Sequence, residues 1–303
     1  MSRLGDALVA IERVVLGKPE QIKLCLACLL ARGHLLIEDV PGVGKTTLAH
    51  TLAQVLGLQW RRLQFTSDLL PADVVGVSVF DRATQQFQFR PGPVFTQLLL
   101  ADEINRASPK AQSALLEAME ERQVSIDGVT HPLPEPFFVV ATQNPHEQLG
   151  TFGLPESQLD RFLMRVTLGY PDVQSERALL MAGERRELLQ STAAVLTPAE
   201  LLAAQRAVRA VYVSAALLDY VQALVAHSRA TCQLGLSPRA AQGLVRAAQG
   251  WALLVGERAV LPEHIQAVLP SVAAHRLVSR QGAEGTAGAG LAEALIAAVP
   301  IPV

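Results

Sequence analysis

The residues best suited to chemistry lie in the segment Pro41-Gly42-Val43-Gly44-Lys45-Thr46-Thr47, shortly after the apolar run 35–37. In this pattern a strand leads into a glycine-rich turn, and a helix begins directly after the turn. Consecutive backbone N–H groups and the positive end of the helix dipole then point at one spot. That spot suits a polyphosphate. Lys45 would reach the β- and γ-phosphates, and the Thr46 hydroxyl would bind Mg²⁺. The segment therefore predicts a nucleoside triphosphate site.

One position departs from the usual phosphate-loop pattern. The first glycine of the pattern falls at position 39, where this chain has Asp39. Gly42 and Gly44, which must let the backbone approach the phosphates, are both present. The departure leaves the triphosphate prediction in place.

A pair of acidic residues supplies the second half of a hydrolytic site. The near-continuous apolar run 95–101 is typical of a parallel strand buried on both faces, and it ends at Asp102-Glu103. Ligands bind at the carboxyl ends of such strands. Asp102 can hold Mg²⁺, largely through water, and Glu103 can polarise the attacking water as a general base.

Three further residues are candidates for the same chemistry. Asn144 follows another apolar run and could contact the γ-phosphate or orient water, or could be a turn residue before Pro145. Arg161 and Arg239 could each stabilise charge on the transferred phosphoryl group. Because the chain has 26 Lys and Arg residues, spacing alone singles out neither arginine.

Composition sets the broad class of protein. A chain of 303 residues with 50% hydrophobic residues is too apolar for general disorder and is long enough for about two domains. The net charge of −2 argues against broad attraction to nucleic acid or to an anionic membrane. Neither a signal peptide nor an apolar run long enough to span a membrane is apparent, so we expect a cytoplasmic protein.

The three cysteines do not predict a metal site. Cys25 and Cys28 have the spacing of a zinc-binding pair, but a second Cys or His pair does not accompany them. They lie in an apolar run that is typical of a buried helix. We therefore expect a role in the hydrophobic core.

The elements that must position these residues divide the chain near residue 171. An α/β domain is predicted over 1–171, and an all-helical domain with a weak terminal helix and an Ala/Gly-rich tail is predicted over 172–303. The predicted elements of the first domain are a helical segment at 5–32 broken at 17–19, strands near 35–37, 59–64, 95–101 and 137–142, a strand-like segment at 76–90, a helix at 108–122, and a hairpin at 124–129.

The order of these motifs resembles the AAA+ ATPases, and among them the MoxR family, over about residues 5–275. The segments that carry the resemblance are 36–46, 64–71, 100–107, 141–145 and 154–156 with 159–162. Asp39 looks like a variant that this family tolerates. The resemblance implies a P-loop NTPase fold, with a parallel-sheet α/β core and a C-terminal all-helical lid domain.

The resemblance also implies roles for the candidate residues. The Lys45 loop corresponds to Walker A, Asp102-Glu103 to Walker B, and Asn144 to sensor 1. Arg161 matches the arginine finger that would serve the active site of an adjacent subunit, and Arg239 matches the sensor 2 arginine. The cofactors implied are ATP and Mg²⁺.

The implied assembly is a homo-oligomeric ring, usually hexameric. Segments 76–90 and about 123–136 resemble inserts that face the ring pore. MoxR-type ATPases are thought to remodel or mature partner proteins, working with a separate chain that carries a von Willebrand A domain.

Two other functions are weighed against this one. A nucleic-acid-stimulated AAA+ motor would need a basic stripe, whereas the inserts offer few cations and also carry Asp127 and Glu135. A nucleotide-dependent scaffold with little turnover would not need Glu103, Asn144 and Arg161. We therefore expect an ATP-driven protein remodeller.

Overall fold

The computed structural model describes residues 3–145, 150–181, 192–280 and 288–301. Its strands are β1 (Leu35–Glu38), β2 (Trp60–Gln64), β3 (Gly76–Asp81), β4 (Gln86–Pro91), β5 (Leu98–Asp102), β6 (Gln123–Ile126), β7 (Val129–Pro132), β8 (Phe138–Gln143) and β9 (Met164–Val166). Five of them form a parallel sheet in the order β2-β5-β8-β1-β9. The predicted parallel-sheet core is therefore confirmed.

The helices flank this sheet and make up most of the chain after residue 171. They are α1 (Arg3–Val14), α2 (Pro19–Leu30), α3 (Lys45–Val55), α4 (Pro71–Val75), α5 (Pro109–Glu121), α6 (Glu156–Leu159), α7 (Val173–Met181), α8 (Pro198–Val208), α9 (Ala215–Thr231), α10 (Pro238–Val255), α11 (Pro262–Ala273) and α12 (Gly288–Ala298). A 3₁₀ turn covers Ile104–Arg106. Within the described ranges, no helix is both long and apolar enough to cross a membrane.

The central strands are buried along their whole length. All five residues of β5 are buried, as are the first five of β8, because helices cover both faces of the sheet. The strand predicted from residue 95 begins only at Leu98, since Phe95 and Thr96 bond back to Gly92 and Val94 in a turn. The edge strand β9 was not predicted, because three residues are too short to show a period.

Two hairpins project from the α/β core. Strands β3 and β4 pair antiparallel from Gly76↔Pro91, and β6 and β7 pair around a turn at Asp127-Gly128. Both turn residues have positive φ, 51° and 78°, which is the backbone that a tight hairpin turn requires. The hairpins touch each other through the ring of Phe89, which stacks on His131 at a centroid distance of 4.0 Å. The strand-like segment predicted at 76–90 is therefore a hairpin, and the hairpin predicted at 124–129 is confirmed.

The helical region packs directly on the α/β core. One cluster of buried hydrophobic side chains runs through both, and Cys25 and Cys28 belong to it. Helices α2 and α10 approach so closely that a Cβ on Gly250 would lie 2.7 Å from the carbonyl oxygen of Ala27. The C-terminal helical lid is thus confirmed, whereas the boundary at residue 171 stays a prediction.

Two smaller predictions concern the cysteines and the C-terminal tail. Burial raises the pKa of Cys25 to about 12 and that of Cys28 well above its usual range, as expected for thiols in the core. The predicted terminal helix is α12. The part of the Ala/Gly-rich tail at 281–287 lies outside the described residues.

Candidate active site

The glycine-rich loop joins the end of β1 to the start of α3. Gly42 and Gly44 have φ values of 85° and 95°, a conformation that side chains rarely allow, and Gly44 is the N-cap of the helix. The ammonium of Lys45 donates to the carbonyl oxygen of Asp39 across this loop, at 2.5 Å. The first backbone N–H groups of α3 are therefore presented to an anion.

A cavity of about 340 Å³ lies over this loop. The residues that line it are Pro41, Gly42, Gly44, Lys45, Thr46, Thr47, Asp102, Glu103 and Asn144. The ends of β5 and β8 thus meet the loop, as expected at the carboxyl ends of neighbouring parallel strands. Val43 differs from its neighbours, because its side chain packs against the hydrophobic core.

Asp39 anchors the loop to the edge of the sheet. Its Oδ2 accepts the backbone N–H groups of Leu168 and Gly169, each at 2.7 Å, and its Oδ1 accepts the N–H of Val40 at 2.8 Å. The residue is 5% exposed. A glycine could accept none of these bonds, so the departure from the usual loop pattern has a structural purpose.

Thr142 links the two acidic residues. Its hydroxyl donates to Asp102 Oδ1 at 2.6 Å and accepts the backbone N–H of Glu103 at 2.9 Å. The other carboxylate oxygen of Asp102 is bound by Arg62, at 2.6 Å from Nη2 and 3.0 Å from Nε. Both oxygens of Asp102 are thereby fixed in a largely buried position.

Two side chains hold the carboxylate of Glu103. Gln64 Nε2 donates to Glu103 Oε2 at 2.7 Å, and Arg106 Nε lies 3.1 Å from the same oxygen. The backbone of Glu103 is left-handed, with φ of 55°, which turns the chain sharply after β5. The carboxylate of Glu103, which lines the cavity, therefore has its orientation set by these neighbours.

Asn144 lines the same cavity as the loop. It follows the last residue of β8, is 7% exposed, and lines both the main cavity and a smaller one beside Asn105. Because Asn144 and Glu103 line the same cavity, Asn144 is suited to contact a terminal phosphate or the attacking water.

Arg161 and Arg239 lie together, but in a different cavity from the loop. The carboxylate of Glu120 on α5 bridges them, with Arg161 Nε and Arg239 Nη2 each 3.1 Å from one of its oxygens. Both arginines line a cavity of about 230 Å³ that also contains Arg122 and Arg276. The structure thus joins the two predicted arginines to each other and separates them from Lys45.

Comparison with known proteins decides the family. Residues 34–164 match the ATPase family associated with various cellular activities (AAA), and residues 225–294 match the AAA lid domain. The chain is 42% identical to Chaperone MoxR1 of Mycobacterium tuberculosis, over 91% of this chain and 75% of that protein. It is 33% identical to Protein MoxR of Paracoccus denitrificans, over 99% and 97% of the two chains. The chain belongs to the MoxR family of AAA+ ATPases.

Two further comparisons extend over nearly the whole length of this MoxR-family chain. The uncharacterized protein YeaC of Bacillus subtilis is 44% identical over 99% of this chain and 95% of its own. The crystal structure of a candidate ATPase from Cytophaga hutchinsonii superposes with a TM-score of 0.89 at 35% identity, covering 99% and 95% of the two chains. The fold and the lid are therefore shared along the full chain.

Sequence reasoning missed four residues that this MoxR-family site uses. Arg62, Gln64, Arg106 and Thr142 all contact the acidic pair. A signal for Gln64 existed, because it is the last residue of the strand predicted at 59–64; the structure then pairs it in register with Asp102. Arg106 also lies three residues after Glu103, which is a common spacing for an ion pair.

Proposed function

We propose that this chain hydrolyses ATP with Mg²⁺ at a site completed by an adjacent subunit of a ring, and that it uses the hydrolysis to remodel or mature partner proteins. The observation that carries the proposal is the separation of the two halves of the site. Lys45, Asp102, Glu103 and Asn144 line one cavity, whereas Arg161 and Arg239 meet at Glu120 in another.

The residues of the first cavity bind the phosphates of ATP and activate the attacking water. Lys45 and the N-terminus of α3 bind the β- and γ-phosphates. Glu103 accepts a proton from the attacking water, and Asn144 orients that water against the γ-phosphate. The bonds of Gln64 and Arg106 to Glu103 Oε2 hold the carboxylate in place.

The donor set around Asp102 fits Mg²⁺. Thr46 and Asp102 bring a hydroxyl and a carboxylate to the same cavity, and oxygen ligands of this kind are those that Mg²⁺ prefers. Because Thr142 and Arg62 already bind both oxygens of Asp102, we assign that carboxylate to the water shell of the ion. When bound, Mg²⁺ neutralises charge on the β- and γ-phosphates.

The second half of the site needs an arginine that can contact the transferred phosphoryl group. Arg62 and Arg106 are close to the acidic pair but are each engaged with a carboxylate, Asp102 and Glu103 respectively. An arginine that stabilises the transferred phosphoryl group, worth about 10³- to 10⁵-fold in rate, must therefore come from elsewhere. Arg161 of a neighbouring subunit fits that need, with Arg239 beside it.

A polypeptide client fits the surface of the two hairpins. Phe80 and Phe87 are 49% and 72% exposed there, and Ser78, Ile126 and Val129 help line a groove between the hairpins. Such an apolar surface suits an unfolded or partly folded segment of protein. The name of the relative Chaperone MoxR1 agrees with that class of activity. The von Willebrand A partner, the hexameric state and the cytoplasmic location stay predictions.

The test is complementation between two inactive variants. Arg161→Ala alone should bind ATP with an unchanged Kd and lose at least about 10³-fold in kcat. Glu103→Gln alone should also bind and not hydrolyse, with a loss of about 10²- to 10⁴-fold. Rings assembled from an equal mixture should regain activity, because an Arg161→Ala site then lies beside an intact Arg161.

Controls separate this proposal from the other functions. The exposed Arg206 on α8 provides a matched variant, Arg206→Ala, which should hydrolyse ATP normally. Normal hydrolysis by Arg161→Ala, or a mixture that stays inactive, would show that the site is not shared. Equal rates for wild type and Glu103→Gln would favour a scaffold, and stimulation by DNA would favour a nucleic-acid motor.

A further inference from the structure

Two consecutive lid residues hold the backbone on either side of Arg161. His275 and Arg276 follow the end of α11, and both are buried, with Arg276 only 7% exposed. The segment that they hold, residues 160–163, connects α6 to β9 and lies outside both elements. Its carbonyl groups therefore need partners from another part of the chain.

Arg276 supplies most of those partners. Its Nη2 donates to the carbonyls of Asp160 and Phe162 at 3.0 and 2.7 Å, and its Nη1 donates to that of Leu163 at 3.1 Å. The Nε donates to the carboxylate of Asp160 at 2.6 Å. Every nitrogen of the guanidinium thus binds the segment that contains Arg161, and Nη1 also binds the carbonyl of Val272.

His275 adds a second attachment from the lid. Its Nε2 lies 3.0 Å from the carbonyl oxygen of Phe162, so this nitrogen must carry the proton. Burial is the main cause that lowers the pKa of His275 well below its usual value, which keeps the ring neutral. The Phe162 carbonyl therefore accepts from two lid residues at once.

The same lid also carries Arg239. This residue lies in the first turn of α10, next to α11, and its guanidinium reaches Glu120, which also binds Arg161. The lid therefore positions Arg239 directly, on α10, and positions the backbone around Arg161 through Arg276. A change in the angle of the lid must move both.

We propose that Arg276 is the positioning residue for Arg161: it fixes the direction in which Arg161 is presented to the neighbouring subunit and makes that direction depend on the lid. This inference rests on the proposed function, because it assumes that Arg161 acts on a neighbour. A lysine could not replace the fork of Arg276, since a single ammonium cannot span the three carbonyls and the carboxylate together.

The test uses Arg276→Met, alone and mixed with Glu103→Gln. Rings of Arg276→Met should bind ATP with an unchanged Kd and lose about 10- to 100-fold in kcat, because a small misplacement of a charge-stabilising group has that effect. Mixing with Glu103→Gln should restore hydrolysis, since each Arg276→Met site then receives a correctly held Arg161. A lid defect confined to the variant's own site would not be restored.

Further variants keep the test decisive. Arg276→Met with Asp160→Asn removes the partly buried carboxylate that the single change leaves unpaired, and Arg276→Lys keeps the charge without the branched guanidinium. Either one replaces Arg276→Met if that variant does not fold by circular dichroism. Arg280→Met is the matched control, because Arg280 also binds a carbonyl, that of Cys232 at 3.2 Å, but does not contact residues 160–163 in the described structure. It should behave as wild type.

The outcomes distinguish this inference from the proposed function. A wild-type kcat in Arg276→Met would overturn the role of Arg276 alone. So would a mixture with Glu103→Gln that restores the activity of Arg161→Ala but not that of Arg276→Met. If mixing with Glu103→Gln restores hydrolysis by neither variant, the proposal of a shared site is wrong, and so is the proposed role of Arg276.

Discussion

The amide of Gln64 donates to the carboxylate of Glu103 at 2.7 Å, from the strand next to the one that Glu103 follows. The bond orients the carboxylate that we assign as general base. It also explains why the end of β2, a strand with no residue in the predicted site, matters to the chemistry.

Gln64→Leu should lower kcat for ATP hydrolysis by about 10-fold while leaving the Kd for ATP unchanged. Removing the amide leaves Arg106 to hold the carboxylate, so the base is held less precisely. Steady-state hydrolysis and nucleotide titration measure the two quantities. Gln59→Leu, at an exposed position before the same strand, is the control. An unchanged kcat in Gln64→Leu would show that this bond does not orient the base.

Asp39→Gly should destabilise the fold by about 2–4 kcal/mol, even though it restores the usual glycine of a phosphate loop. The change removes three charge-assisted hydrogen bonds, to Val40, Leu168 and Gly169. The free energy of unfolding from urea titration is the measurement. A variant as stable as wild type would mean that these bonds contribute nothing net to stability.

Thr46→Ala should raise the Mg²⁺ concentration needed for half-maximal hydrolysis by about 10-fold or more, because it removes a proposed oxygen ligand. Hydrolysis rates over a Mg²⁺ series at saturating ATP give the value. The exposed Thr231 on α9 provides the control, Thr231→Ala, which should leave the Mg²⁺ dependence unaltered. A Thr46→Ala curve that overlies wild type would remove Thr46 from the metal site.

Stability should fall as the pH drops from 6.5 to 4, in part through His34. Its Nδ1 accepts the N–H of Val139 at 3.0 Å, and its Nε2 faces the carbonyl of Met119 at 3.2 Å, so the folded chain holds the ring neutral. Burial is the main cause that lowers the pKa of His34 to about 4. Between these pH values the unfolded chain binds the proton and the folded chain does not, which removes about 3 kcal/mol.

The slope of unfolding free energy against pH tests this assignment. His34→Gln should flatten the slope between pH 4 and 6.5, although the buried His275 contributes in the same direction. If His34→Gln keeps the wild-type slope, His34 is not the titrating group.

The sequence alone was enough to predict the nucleotide loop and the acidic pair. Their signals are local, since a glycine-rich turn between a strand and a helix, or an acid at the end of an apolar run, is determined by neighbours in the chain. The cavity that gathers Lys45, Asp102, Glu103 and Asn144 agrees with that reading. The order of motifs also indicated the family.

Only the tertiary structure decided which side chains hold that site in place. Asp39 meets residues more than 120 positions away in the sequence, with its carboxylate bound by the backbone of Leu168 and Gly169, and Arg276 similarly meets Asp160. Such pairs form because the sheet and the lid bury polar groups that must then find partners. Neither composition nor spacing encodes those partners, so the separation of Arg161 from Lys45, and its attachment to the lid, came from the fold.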